Sequence, residues 1–224
     1  MADPAEAGEI VNRALSYPYA VPDRSFLALG GRALELPEAG PDLRGREALL
    51  AYGANAAPEA LARKLAPLPD VELPVLRAEL EGFDVVYSAH VSPYGAVPAT
   101  LHPSPGSAVA VFVAYPTAEQ RRLLSATEPN YEPVVLRDLA CRVQGGALVA
   151  EADAFLSRHG RLTIGGAEVA LGAVRARGRT RASLRQPEIL KRVRAHLAPH
   201  LDLERFVASM VESGGFSPLP DLPA

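Results

Sequence analysis

The sequence predicts a largely single-domain protein of mixed α/β type, and three observations carry that prediction. Short apolar runs bounded by Gly and Pro alternate with capped stretches of helical period, the pattern of strands interleaved with helices. Apolar residues make up 48% of the 224, enough to offset the conformational entropy of one sizeable core. Only 6% are aromatic and Trp is absent, so that core must rest on Leu, Val and Ala.

The bulk properties narrow the classes of function. A formal net charge of −3 implies neither an acidic nor a basic partner for the whole molecule. The single cysteine, Cys141, allows no internal disulfide and suits a reducing compartment. No apolar run approaches the roughly 18 residues of a membrane span, so a soluble chain with no membrane partner is expected. The start Met1-Ala2-Asp3-Pro4-Ala5-Glu6 is acidic where a signal peptide is basic, which makes cytoplasm the expected location.

Along the chain, residues 1–46 read as an N-terminal extension. It holds a short helix near 9–15, a hairpin over 25–36 turning on Gly30-Gly31, and a Pro- and Gly-rich linker over 37–45. The apolar run 48–52 reads as a buried strand that stops at Gly53. Asn55 or Ala57 then caps a helix with Pro58 at its first position and Leu61 and Leu65 on one face. Residues 71–91 read as two strands joined at Glu81-Gly82. The stretch 92–105, broken by five residues (Pro93, Gly95, Pro98, Pro103 and Pro105), reads as a loop with at most short strands. A further strand is expected over 108–115. Thr117 with Gln120 three residues on forms a capping-box pattern for a helix to about Ala126, ended by Pro129. Strands over 134–143 and 147–156 across Gly145-Gly146, and a hairpin over 162–174 around Gly165-Gly166, complete a domain of residues 47–182. Residues 183–224 read as a C-terminal helical extension, with helices at 187–197 and 203–211, the second capped by Asp202, and a Pro-rich tail.

Two places carry candidate chemistry. The strand that ends in Tyr52-Gly53-Ala54-Asn55 leads into a helix N-terminus, so several backbone N–H groups point one way. Such a turn binds a carboxylate or steadies a developing oxyanion, and it is also found in any ordinary strand-to-helix connection. Gly53 would allow close ligand approach and a positive φ. Glu128 lies where a helix ends, close to the last carbonyls and in an apolar, Pro-bounded segment. Both surroundings disfavour the ionised form, as suits a general base, although a solvated Glu at a helix end has the same sequence context.

Together these residues resemble the γ-glutamylcyclotransferase-like family. Tyr52-Gly53-Ala54-Asn55 after an apolar strand resembles its Tyr-Gly-Ser-Asn signature, with Ala54 keeping the N–H and lacking the hydroxyl. A strand such as 109–115, a short helix, and Glu128 with Tyr131 just downstream follow in the family's order; Ser125 stands where many members have Asp. Gly82-Phe83 and Pro98-Ala99-Thr100-Leu101 fit between, and the resemblance covers about residues 47–144. It implies a small mixed β-barrel with surrounding helices, no metal and no cofactor. It also implies a small-molecule γ-glutamyl compound as partner: turn residues 52–55 and Tyr131 would hold the substrate, and Glu128 would be the catalytic base releasing 5-oxoproline and an amine or amino acid. The rival reading is a non-catalytic ligand- or partner-binding protein of the same fold.

Other features read as structural. Arg175, Arg177, Arg179, Arg181, Arg185, Lys191, Arg192 and Arg194 crowd one segment opposed only by Glu188. The segment lacks interleaved aromatics, so a solvated or subunit-facing patch is expected rather than a nucleic-acid surface, which leaves a homo-oligomer open. His196 and His200 have helical metal-ligand spacing, but Pro199 interrupts the helix. Cys141, Tyr87 and His90 fall in expected strands and read as packing residues.

Overall fold

A computed structural model describes residues 4–224, so the start Met1-Ala2-Asp3 lies outside the described residues. The first helix, α1 (Pro4–Leu15), begins five residues before the expected start and turns Val11 and Ala14 into the core. The hairpin β1 (Phe26–Leu29) and β2 (Arg32–Leu34) turns on Gly30-Gly31 as predicted. All three residues of β3 (Leu49–Ala51) are buried. A 3₁₀ turn (Ala54–Ala56) follows, and Ala57 caps α2 (Pro58–Lys64), with Pro58 in its first turn where the missing N–H has no partner to lose.

The next two strands differ from the sequence reading. One strand, β4 (Leu73–Tyr87), runs straight through the expected Glu81-Gly82 turn, and its register against β5 (Ala99–Ala114) shifts there as a bulge. Gly82 takes φ +78, and a glycine at positive φ marks a bulge in a strand as readily as a turn between strands. The stretch 92–105 is likewise not all loop, because β5 starts at Ala99 and contains Pro103 and Pro105. Pro103 pairs with Phe83 beside the bulge, where the ladder is already irregular and a missing N–H matters least.

The predicted capping box forms at α3 (Ala118–Ala126): the Thr117 hydroxyl accepts from Gln120 N–H, and the Gln120 amide oxygen accepts from Thr117 N–H. The two strands expected after it each split. In the first, Asp138 at φ +55 separates β6 (Tyr131–Leu136) from β7 (Cys141–Val143). The second yields β8 (Leu148–Val149), which pairs with β7 across Gly145-Gly146, and β9 (Ala152–Ser157), which pairs with β6. Short strands follow: β10 (Thr163–Ile164) and β11 (Ala167–Glu168) as the expected hairpin, then β12 (Ala170–Leu171), β13 (Ala176–Arg177) and β14 (Ser183–Leu184). The chain ends in α4 (Gln186–Leu197) and α5 (Leu203–Glu212), the latter capped by Asp202 as predicted, and an extended tail bridged to Val91 and Ile164.

The result is a mixed α/β structure with one 12-stranded sheet, whose main path runs β14-β12-β4-β5-β3-β9-β6. β3 sits inside it, antiparallel to β5 and parallel to β9. The end strands β14 and β6 are not bonded to each other, so the sheet stays open and the expected barrel closure is absent. The large core cluster draws residues from α1, the sheet and both C-terminal helices; a second joins Phe26, Leu61, Leu73, Leu124 and Phe155 beneath α2 and α3. Burying these side chains supplies the main driving force at about 25 cal/mol per Å² of apolar area.

The arginine-rich segment is exposed at Arg175, Arg177, Arg185, Lys191 and Arg192, as expected of a solvated patch, and three of its arginines also meet carboxylates outside the segment. Arg177 meets Glu79 98 residues back, Arg179 grips the fully buried Asp84 95 residues back, and Arg181 meets Glu168 13 residues back. The exposed Arg177 pair adds little stability, whereas the Asp84 carboxylate depends on Arg179 for its only charged partner among the described residues.

Candidate functional site

The end of β3 and the end of α3 converge on one point. Tyr52 is buried, and its hydroxyl donates to the Phe155 carbonyl on β9, fixing the strand end. Gly53 has φ −135, so the expected positive φ is not what the turn uses. Space is: a Cβ at Gly53 would stand 2.5 Å from the Tyr17 hydroxyl. Ala54 and Asn55 then enter the 3₁₀ turn, whose first amides have no carbonyl within the turn to bond.

Glu128 follows the α3 cap, Thr127, and its own N–H donates to Ser125 O at 3.1 Å. Its surroundings are not simply apolar, which corrects the sequence expectation. Asn55 Nδ2 donates to Glu128 Oε1 at 2.9 Å, and Lys64 Nζ bonds the same oxygen while donating to Asn55 Oδ1 at 2.8 Å. The three side chains close a triangle in which the Lys64 ammonium balances the carboxylate. Side-chain exposures of 18% for Lys64 and 12% for Glu128 place the pair largely out of water. Glu128 Oε2 makes no hydrogen bond among the described residues.

Tyr52, Gly53, Ala54, Asn55, Glu128 and Tyr131 all line one cavity of about 90 Å³, joined there by Lys64, Tyr17 and Tyr94. A second cavity of about 130 Å³ shares Glu128, Tyr131 and Tyr94 with it and is also lined by His90 and Asn130. Tyr131 opens β6, and its hydroxyl donates to Ala99 O at 2.9 Å; Ala99 N–H in turn donates to Tyr17 Oη at 2.9 Å. Burial first, and then neighbouring phenols or Glu128, push the Tyr17, Tyr52, Tyr94 and Tyr131 hydroxyls above the usual phenol range. At neutral pH they are therefore donors and not bases.

His90 is held neutral. Burial, and then the adjacent His159 ring, push its pKa down to about 3, and Ser88 Oγ lies 2.7 Å from its Nδ1. Tyr87 is fully buried with its hydroxyl on Leu184 O, and burial lifts the Cys141 thiol to about 11, away from thiolate chemistry. Among the described residues no group of three or more His, Cys, Asp or Glu side chains is placed to hold a metal, and no helix is long and apolar enough to cross a membrane.

Sequence reasoning missed Lys64, Tyr17 and Tyr94. Lys64 had one local signal, its position on the helix launched by the 52–55 turn; its meeting with Glu128, 64 residues on, is a product of the fold. Tyr17 comes from the N-terminal segment and carries no motif.

No family model matches the chain, and no curated protein matches it. Among solved structures, one titled "Gamma-glutamyl cyclotransferase" superposes with a TM-score of 0.37 at 16% identity. The match covers 50% of this chain and 66% of that one, just under two thirds of its length. A superposition of that extent assigns neither a family nor an activity to this chain.

Proposed function

We propose that the cavity at Glu128 is the active site of a cyclotransferase that cleaves a γ-glutamyl amide and releases 5-oxoproline. The observation that carries this reading is the convergence of the Glu128 carboxylate, fixed through Oε1 by Asn55 and Lys64, with the 53–55 turn on one cavity. Oε2, left without a partner, would take a proton from the substrate's α-ammonium. The freed amine then attacks the γ-carbonyl, and the turn amides steady the oxyanion that forms. Collapse breaks the C–N bond to the leaving amine, which receives the proton from Glu128, and the ring nitrogen then gives its remaining extra proton to the regenerated carboxylate, which passes it to solvent or to the departing amine. One carboxylate suffices because the nucleophile is tethered to its electrophile. Tyr52 and Tyr131, as protonated phenols, shape the walls. In this reading residues 47–182 carry the reacting groups, while 1–46 and 183–224 govern access, Tyr17 reaching Gly53 from the first of them.

The rival, a non-catalytic binding protein of the same fold, is favoured by one observation: Tyr17 Oη fills the space beside Gly53 that a substrate would approach. A panel of γ-glutamyl amides and peptides, assayed by chromatography for 5-oxoproline, separates the two. Turnover of any panel member supports the enzyme; saturable binding of panel members without release of 5-oxoproline supports the rival.

A further inference from the structure

A cavity of about 520 Å³ adjoins the candidate site, separated from it by Tyr17, Tyr52 and Gly53. It is of the size that takes a small organic ligand. Its lining is mainly apolar and includes Val111 and Phe112 of β5 together with Val21 and Val174. Its charged lining comes from separate parts of the chain: Arg77 on β4, Arg175 before β13 and Arg185 before α4, against the single carboxylate of Asp23.

The arginines divide by position. Arg177, Arg179 and Arg181, outside the cavity, are all bonded to carboxylates of this chain. Arg77 donates to the Asp23 backbone carbonyl. Arg175 and Arg185, which line the cavity, have no side-chain hydrogen bond or ion pair among the described residues. Between residues 175 and 185, then, the three arginines outside the cavity have counter-charges from this chain and the two that line it have none among the described residues. Two guanidinium forks at an apolar pocket match a carboxylate carried on an apolar body.

We propose that this cavity is a binding site for a small organic carboxylate, whose head meets Arg175 and Arg185 and whose apolar body lies against Phe112 and Val174. Glu128 does not line this cavity, so the proposal does not rest on turnover there.

Three matched probes test it by calorimetric titration of the full chain: 4-phenylbutyrate, 4-phenyl-1-butanol and 4-phenylbutylamine. The carboxylate is expected to bind saturably, and the alcohol and amine at least ~10-fold more weakly, as loss of a charge-assisted contact implies. Arg175→Gln with Arg185→Gln should weaken the carboxylate by a similar ~10-fold or more at an unchanged melting temperature, because both side chains are exposed. Glu128→Gln should leave this binding unchanged. Equal affinity for the three probes, undiminished carboxylate binding by the double variant, or no saturable binding of the carboxylate would each overturn the proposal. Should the double variant melt early, each single substitution supplies the same comparison.

Discussion

Gly53 illustrates how one residue position is set by a distant one. Its intolerance of a side chain comes from the Tyr17 hydroxyl 2.5 Å from the Cβ position, not from a positive φ. Gly53→Ala should therefore destabilise by about 1–3 kcal/mol, the usual range for overpacking. In a Tyr17→Phe background, where the obstructing oxygen is gone, the same substitution should cost much less. A double-mutant cycle by chemical denaturation reads the coupling directly, and additive effects would contradict this account. Lys64 makes a parallel case. Lys64→Met leaves the Glu128 carboxylate largely buried beside Asn55 alone and should cost about 1–3 kcal/mol. Adding Glu128→Gln should recover part of that loss, and a further drop in stability would show that the pair is not the reason for the cost.

At the scale of elements, local signals were legible where they are chemically distinctive. Thr117 and Gln120 announce their capping box, Pro58 and Asp202 mark helix starts, and Gly30-Gly31 marks a hairpin. The β4–β5 ribbon was misread because Gly82, Pro103 and Pro105 carry the same signal in a bulged strand as in a turn. Only pairing with the neighbouring strand decides between them. Because no atom lies within 4 Å of the Cβ position at Gly82, its φ of +78 is the whole constraint. Gly82→Ala should then cost roughly 1–2 kcal/mol without altering the sheet, measured by denaturation and circular dichroism. A neutral result would mean that the bulge relaxes freely.

Across the whole molecule, the order of the turn and Glu128 along the chain was legible, and the structure brings both to one cavity. Lys64 and Tyr17 were not legible, since their contacts exist only once α2 and the N-terminal segment have packed. Burial of His90 gives the molecule an acid sensitivity. Its imidazole is neutral when folded, with a pKa of about 3 against 6.5 when unfolded, so the unfolded state alone takes up a proton as pH falls below 6.5. Stability present above that value is lost on acidification, by about 1.5 kcal/mol between pH 6.5 and 5. His102 is also held down, first by burial, and acts in the same direction, so the comparison is with His90→Gln, whose stability should change less over that interval. Equal slopes would place the sensitivity elsewhere. The central claim concerns Glu128, and the most direct measurement is the rate of 5-oxoproline release by wild type and by Glu128→Gln on the best γ-glutamyl amide. The account predicts a loss of roughly 10²–10⁴-fold in kcat with the fold intact, the usual contribution of a positioned general base. A Glu128→Gln variant that releases 5-oxoproline at the wild-type rate would contradict it.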